Sequence, residues 1–383
     1  MKHIPYTRQD IDEADIRGVV NVLRSDWLTQ GPKIKEFEDA LCRYTGARYA
    51  VAVSNGTAAL HVACLAAGIK EGDQVITSPI TFVASANSVL YAGGTPVFAD
   101  IQQDTVNINP EEIKRKITKK TKAIIPVDFA GHPCDLKEIG EICKKHNLLM
   151  IEDAAHALGA EYKGKKIGNC KYSDMTIFSF HPAKSITTGE GGAVLTNNED
   201  LYEKLKSFRT HGITKCENRF KFRDPERDGA WYYEMQNLGF NYRITDFQCA
   251  IGIAQLKKLD DFITRRREIV AMYENELSRL ESIQLPIEKG YVRSSWHIYC
   301  LRLKDPGRRK LIFDRLCSMG IAANVHYIPV HLQPYYRMNF DFRYGDYPKA
   351  EEYYESAITI PLYPSMNKTQ ISYVTKVLKK VLG

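Results

Sequence analysis

Short apolar segments alternate with amphipathic segments along the first two hundred residues of the chain. Most of the short segments are continuous apolar runs of four or five residues, which is typical of strands buried on both faces of a parallel sheet. The sequence predicts strands at residues 49–53, 74–77, 96–98, 123–127, 148–151 and 193–196, with helices at 57–67, 82–91 and 136–146. This alternation of strands and helices predicts an α/β domain.

Two further helices are predicted before the first strand. Asp10 precedes an apolar-periodic stretch, and Glu13 follows three residues later, which is the pattern of a helix N-cap with an acidic partner. This helix is expected to end near Ser25. After a loop at 27–32, Pro32 is expected to open a second helix that ends near Gly46.

The last third of the chain has a different pattern, with a long, charge-rich helical stretch at about 255–280. It is followed by a predicted strand at 297–303, a helix at 308–319, a strand at 322–327 and a helix at 368–382. A chain of 383 residues is long enough for two domains that share a cleft. We therefore expect a large domain at 1–254 and a smaller C-terminal α/β domain at 255–383.

Composition narrows the classes of function. Hydrophobic residues make up 44% and charged residues 26% of the chain, and no segment approaches the roughly 20 apolar residues of a membrane span. The first ten residues lack the apolar core of a secretion signal, so a cytoplasmic location and no membrane association are expected. The nine cysteines are odd in number and contain no C-x-x-C pair, which argues against disulfides and a metal site. The net charge of +7 suits a small anionic substrate, while its scatter along the chain argues against nucleic acid.

Three motifs carry candidate chemistry. In SNGTAAL, at 54–60, a strand leads through a glycine into a helix, and the free amides of a helix N-terminus can hold a phosphate. In LLMIEDAAH, at 148–156, an apolar strand ends in Glu152 and Asp153, at the sheet edge where α/β proteins bind ligands. An aspartate there can pair with a protonated ring nitrogen, or it can cap the next helix.

The third motif is TIFSFHPAK at 176–184, followed by the glycine-rich turn TTGEGG at 187–192. A strand here delivers the hydroxyl of Ser179 and the amine of Lys184 into a loop. Partial burial lowers the pKa of a lysine and frees its lone pair, which makes Lys184 a candidate Schiff-base amine. Most lysines are surface groups, so this interpretation depends on the strand and the glycine-rich turn that flank Lys184.

Together these motifs resemble the DegT/StrS sugar aminotransferases, which are pyridoxal 5'-phosphate (PLP) enzymes of fold type I, the aspartate aminotransferase fold. The similarity covers nearly the whole chain. Its most specific parts are SNGTAAL at 54–60, EDAAHALGA at 152–160, FSFHPAKSITTGEGG at 178–192 and LGFNYRITDFQCAIG at 238–252. The resemblance implies a large domain with a mostly parallel sheet and a smaller C-terminal domain.

The resemblance also implies site residues. Lys184 matches the Schiff-base lysine, and Asp153 matches the partner of the pyridine nitrogen. The other matches to cofactor-binding positions are Gly56, Thr57, Ala58 and Ser179 at the phosphate, Phe82 stacked on the ring, His156 near the ring, and Asn241, which would reach the phosphate of the other subunit of a homodimer. The substrate positions would be Tyr6, Asp26, Trp27, Leu28, Thr29, Asn324, Val325, His326 and Tyr327.

Within the family, WLTQG at 27–31, VDFAG at 127–131 and NVHYIPV at 324–330 resemble one branch of pseudaminic acid biosynthesis. That branch uses L-glutamate, which becomes 2-oxoglutarate, to aminate C4 of a UDP-linked 4-keto-6-deoxy-N-acetylhexosamine. The product is UDP-4-amino-4,6-dideoxy-N-acetyl-β-L-altrosamine. Three alternatives stay open: a transaminase for another UDP-, dTDP- or GDP-linked keto-sugar at C3 or C4, a dehydratase, and a non-catalytic regulatory relative. A dehydratase is disfavoured, because that branch carries histidine where this chain has Lys184.

Overall fold

The computed structural model of the chain describes residues 3–382. Its helices are α1 (Glu13–Leu23), α2 (Pro32–Thr45), α3 (Gly56–Ala66), α4 (Ala84–Tyr91), α5 (Pro110–Lys116), α6 (Leu136–His146), α7 (Glu199–Arg209), α8 (Asp246–Leu277), α9 (Arg309–Ser318), α10 (Pro334–Phe340), α11 (Pro348–Ser356) and α12 (Lys368–Leu382).

The strands belong to one large sheet and three small ones. They are β1 (Tyr49–Val53), β2 (Gln74–Thr77), β3 (Thr95–Phe98), β4 (Thr121–Ile125), β5 (Leu149–Asp153), β6 (Glu161–Tyr162), β7 (Lys165–Lys166), β8 (Met175–Ser179), β9 (Gly192–Thr196), β10 (Ile213–Thr214), β11 (Glu234–Met235), β12 (Ile283–Gln284), β13 (Val292–Arg293), β14 (Tyr299–Leu303) and β15 (Ala357–Ile360).

The large sheet has seven strands in the order β1-β9-β8-β5-β4-β2-β3. Strand β9 pairs antiparallel with β1 and β8, whereas the pairs from β8 to β3 are parallel. Both faces are buried, because Ala50 and Ala52 of β1 enter one hydrophobic cluster while Val51 and Val53 enter another. The predicted α/β class with a mostly parallel sheet is confirmed.

A smaller layer is built from the C-terminal part of the chain. The antiparallel sheet β12-β14-β15 shares a hydrophobic cluster with α9, α12 and the second half of α8, where Tyr273 and Leu277 lie. Ile4 also belongs to this cluster and pairs with Ile321. Since α8 runs without interruption across residue 255, the division into 1–254 and 255–383 stays a prediction.

Three predicted elements differ from the structure, and one strand was not predicted. The long helix begins at Asp246, where Thr245 and Gln248 form a capping box, and not near 255. The cap of α1 is Asp12 with Asp15, and not Asp10 with Glu13. The predicted strand at 322–327 is wrong, since only isolated bridges at Ile321 and Asn324 tie this region to neighbouring backbone. The buried strand β15 follows α11 directly and is too short for its apolar pattern to stand out.

Two other features bear on the class of protein. Among residues 3–382, no helix has both the length and the apolar character that a membrane crossing requires. Six of the nine cysteines are buried: Cys64, Cys134, Cys143, Cys170, Cys249 and Cys300.

Candidate active site

A cavity of about 730 Å³ lies at the carboxyl ends of β5 and β8 and at the N-terminus of α3. Such an edge is where open α/β sheets bind ligands. The structure brings together there most of the residues predicted from the sequence: Tyr6, Gly56, Thr57, Ala58, Phe82, Asp153, His156, Ser179, Lys184, Asn324, Val325, His326 and Tyr327. The segment 324–327 supplies cavity wall where a strand was predicted.

Five predicted residues do not line this cavity. They are Asp26, Trp27, Leu28, Thr29 and Asn241, and all are exposed on the surface of the chain. The 26–29 segment is held next to the start of α8, where the Asp246 amide donates to the Leu28 carbonyl at 2.9 Å. Their predicted roles stay predictions.

The N-terminus of α3 forms one end of the cavity. The Asn55 side chain caps the helix by accepting from the Ala58 amide at 2.8 Å. A Cβ built on Gly56 would lie 2.8 Å from the Ser179 Cβ, so glycine is what lets the first turn approach β8 this closely. The result is a set of helix-terminal amides beside a serine hydroxyl, which is an arrangement suited to a phosphate group.

Asp153, at the end of β5, is buried and points into the cavity wall. The Ser85 hydroxyl donates to Asp153 Oδ2 at 2.6 Å, and the Ala155 amide donates to Oδ1 at 3.2 Å. Burial raises the pKa of Asp153, whereas these two donors and the charge of Lys184 lower it. A buried carboxylate held in this way is a suitable partner for a ring N–H cation.

Lys184 lies half-buried in the loop between β8 and β9, with its amide donating to the His181 carbonyl at 2.8 Å. Burial lowers the pKa of the Lys184 amine to about 8, and the negative charge of Asp153 opposes this shift. A substantial fraction of the amine is therefore neutral near physiological pH, as a nucleophile requires.

Histidines and a tyrosine also line the cavity. His156 Nε2 and the Tyr327 hydroxyl are 3.2 Å apart, and the rings of His156 and His297 have centroids 4.3 Å apart. Burial lowers the pKa of His156, His297 and His326, that of His326 to about 4. These imidazoles are consequently neutral at pH 7 and add no positive charge beside Lys184.

Sequence reasoning missed several residues that line the cavity, among them Asn55, Ser85, Glu190, Tyr242 and His297. Asn55 could have been found, because asparagine before a glycine at a strand-to-helix turn is a common N-cap. Ser85 and His297 have no local signal, because their roles depend on partners far away in the chain.

The hydroxyl of Ser85 is expected to keep Asp153 ionised. In Ser85→Ala the buried carboxylate loses a charge-assisted hydrogen bond worth about 1.5–3 kcal/mol, so the pKa of Asp153 should rise further. The acid limb of the pH–rate profile should then move to higher pH. Ser88→Ala is the matched control, since Ser88 lies on the same helix but donates to the Ser85 carbonyl. An acid limb that stays in place in Ser85→Ala would contradict this role.

The residues present fit a planar pyridine cofactor that carries a phosphate, such as PLP. The α3 amides and Ser179 would hold the phosphate, Asp153 would face the ring nitrogen and Lys184 would supply the amine. Phe82 is 58% exposed and lines the cavity, so its ring face is free to stack.

A family model, described as the DegT/DnrJ/EryC1/StrS aminotransferase family, matches residues 9–379. Three curated relatives align over 99% of the chain. They are an uncharacterized protein of Methanocaldococcus jannaschii (45% identical, 98% of its length), the spore coat polysaccharide biosynthesis protein SpsC of Bacillus subtilis (38%, 97%) and the UDP-4-amino-4,6-dideoxy-N-acetyl-beta-L-altrosamine transaminase of Campylobacter jejuni (39%, 97%).

Solved structures share the whole fold. Helicobacter pylori PseC, an aminotransferase involved in the biosynthesis of pseudoaminic acid, has a TM-score of 0.91 and 34% identity, with 100% of this chain and 99% of that chain covered. A Streptococcus pneumoniae protein assigned as a sugar aminotransferase, in its PLP form, has a TM-score of 0.90 and 33% identity, with coverage of 99% and 98%.

Proposed function

The chain belongs to the DegT/DnrJ/EryC1/StrS aminotransferase family, and from this premise we propose that it moves an amino group from L-glutamate to C4 of a UDP-linked 4-keto-6-deoxy-N-acetylhexosamine. The cofactor is PLP. The product would be UDP-4-amino-4,6-dideoxy-N-acetyl-β-L-altrosamine, a precursor of pseudaminic acid.

One observation carries this proposal: Lys184 and Asp153 line a single cavity that also holds the N-terminus of α3. An amine of lowered pKa, a buried carboxylate and a phosphate-binding helix end are the groups that amino transfer on PLP requires. The fold by itself would not establish activity, since folds host many functions. The retained lysine supports transamination over dehydration.

When bound, PLP serves as an electron sink for the bond broken at the amino-bearing carbon. The Lys184 amine takes a proton from that carbon and returns it to the carbon on the other side of the nitrogen. It acts first as base and then as acid. Asp153 would face the ring nitrogen with an ionised carboxylate, which Ser85 holds in place. His156 and Tyr327 stay neutral at the wall and leave the charge balance to Lys184 and Asp153.

Both substrates would use this same cavity in turn, because one lysine serves both half-reactions. We therefore expect ping-pong kinetics, in which glutamate leaves as 2-oxoglutarate before the keto-sugar binds. A ternary complex of enzyme, glutamate and sugar would exclude this scheme.

The pKa of Lys184 sets the pH dependence of cofactor capture. Because the neutral amine attacks PLP, the rate at which cofactor-free protein takes up PLP should rise with pH and level off above about 8. With an unburied lysine, the uptake rate would keep rising until the pH reached the usual lysine pKa of about 10.4. Stopped-flow absorbance at a series of pH values measures this, and an inflection near 10 would contradict the burial argument.

The identity of the sugar rests on the relatives and on charge. The pseudaminic relatives named above are 34% and 39% identical to this chain, and a net charge of +7 suits a nucleotide diphosphate. The spore coat relative, at 38% identity, keeps open another nucleotide keto-sugar, aminated at C3 or C4.

Incubation with glutamate and a panel of UDP-, dTDP- and GDP-linked keto-sugars, with product NMR, decides between these substrates. Turnover of a dTDP- or GDP-sugar alone would reject the UDP proposal, and failure to bind PLP would favour a regulatory relative.

We also propose a cytoplasmic homodimer in which Asn241 reaches the partner's phosphate site; Asn241 is exposed on the chain surface, as a residue that acts across an interface must be. If so, Asn241→Ala and Lys184→Ala proteins should each be inactive, but a mixture that exchanges subunits should regain activity, because one site per mixed dimer has both residues. Light scattering checks the dimer. No recovery on mixing, in subunits shown to exchange, would place Asn241 outside the site.

A further inference from the structure

Two carboxyl groups lie buried directly behind Asp153. Asp128 follows β4, and Glu152 is the residue of β5 before Asp153; their exposed fractions are 0% and 2%. Val127 and Asp153 are bridge partners, so the ends of the two strands lie side by side at this point. Neither acid lines the cavity, and the proposed reaction uses neither of them.

Each carboxyl group has one oxygen satisfied by donors and one without a donor. Asp128 Oδ1 accepts from the Cys134 amide at 2.9 Å. Glu152 Oε2 accepts from the hydroxyls of Ser173 at 2.9 Å and Thr176 at 2.6 Å. Asp128 Oδ2 and Glu152 Oε1 are buried and lack a protein donor, and the two carboxyl groups contact each other. A proton between them would satisfy both free oxygens.

The surroundings supply no positive charge. Within residues 3–382, neither acid forms an ion pair with lysine, arginine or histidine. The titratable groups that face the pair are the thiols of Cys134 and Cys170, whose pKa values are raised by burial, so both stay neutral. Burial raises the pKa of both acids, and the charge of Glu152 raises that of Asp128 further. The two hydroxyls that donate to Glu152 favour its ionised form, which leaves Asp128 as the proton holder.

We propose that Asp128 and Glu152 share one proton at neutral pH and that this pair positions Asp153. The link is through the backbone: the Asp128 amide donates to the Asp153 carbonyl at 3.1 Å, and the Asp153 amide donates to the Pro126 carbonyl at 2.8 Å. Loss of the shared proton would place two like charges in contact between the strand ends that carry these bonds. The role of Asp153 rests on the proposed function, whereas the shared proton does not.

The shared proton has a defined effect on stability. The pKa of Asp128 is higher in the folded than in the unfolded protein, so the folded state binds one more proton. The shared proton stabilises the folded state fully below the pKa of an aspartate in the unfolded chain, about 3.9. This stabilisation is lost as the pH rises toward the pKa of Asp128 in the folded protein. Over that window the unfolding equilibrium constant should increase about tenfold per pH unit relative to a variant that cannot hold the proton.

Asp128→Asn is that variant, because an amide can donate to Glu152 and still accept from the Cys134 amide. Infrared spectra of the holoenzyme at pH 7 should show a protonated-carboxyl band that is missing from Asp128→Asn. Urea unfolding at several pH values should show the tenfold-per-unit divergence from wild type. Asp100→Asn is the control, since Asp100 is buried but accepts from the backbone amides of Ile101, Lys349 and Ala350. It should keep both the band and the wild-type slope.

Glu152→Gln provides a second test if Asp128→Asn fails to fold. It removes the negative charge and the acceptor beside the Asp128 proton, so the band should shift in frequency and should titrate away at lower pH than in wild type. The positioning role has its own readout: cofactor retention by wild type should weaken at high pH, and this alkaline limb should move upward in Asp128→Asn. An infrared band that stays unchanged in both variants, or parallel pH–stability curves for wild type and Asp128→Asn, would overturn the shared proton. An alkaline limb that stays unmoved would overturn the positioning of Asp153. Either result is independent of which sugar is aminated.

Discussion

Lys184→Ala is expected to lower the transamination rate by on the order of 10⁴-fold or more, because one amine acts as nucleophile, base and acid in turn. Lys184 is the one lysine among residues 3–382 that lines the cavity, so no described neighbour can replace it. The rate is measured with glutamate and with the keto-sugar that the panel of UDP-, dTDP- and GDP-linked sugars identifies as substrate. The wild-type protein should be yellow, and borohydride should attach the cofactor to Lys184 as a secondary amine, which peptide mass spectrometry detects.

Lys171→Ala is the matched control, because Lys171 is exposed and lies just before β8, the strand that leads to Lys184. It should transaminate at the wild-type rate. Added methylamine should restore part of the rate in Lys184→Ala, since a free amine can supply the missing proton transfer but cannot repair a misfolded site. A normal rate in Lys184→Ala, or borohydride labelling at another lysine, would show that the assignment is wrong.

Asp153→Asn is expected to reduce kcat by on the order of 10²–10³-fold, the usual cost of removing one preorganised electrostatic partner of a transition state. The amide has nearly the same shape but no charge, so it cannot keep the ring nitrogen protonated. PLP should still bind, because α3 and Ser179 hold the phosphate, and the visible band should shift. Rate and spectrum are measured on the same sample.

Asp174→Asn controls for the loss of a carboxylate near the same strands. Asp174 Oδ2 accepts from the Met150 amide at 2.8 Å and lies away from the cavity. Its replacement should lower stability by about 1 kcal/mol without changing the cofactor spectrum. If Asp153→Asn kept wild-type kcat and spectrum, a group other than Asp153 would have to keep the ring nitrogen protonated.

The central sheet was predictable because its strands are continuous apolar runs, and their burial on both faces is what such runs require. Strands β1 and β2 have their predicted bounds, and β5 begins one residue and ends two residues after its predicted bounds. The helices α5, α7, α10 and α11 were missed. Three of them, α5, α10 and α11, are short, and the apolar positions of α7 are few among its charges. The segment 322–327 misled the prediction, because its apolar residues face a cavity and a small cluster and do not form a ladder.

The sequence alone determined the family and the cofactor, and it singled out Lys184 and Asp153 as candidate site residues, because short motifs in a fixed order encode the turns that carry these side chains. Only the tertiary structure decided how those groups are tuned. The lowered pKa of Lys184 comes from burial, which depends on elements far apart in the chain. The Ser85 hydroxyl and the Asp128–Glu152 pair act on Asp153 through contacts between separate strands and helices, and no local pattern records such contacts.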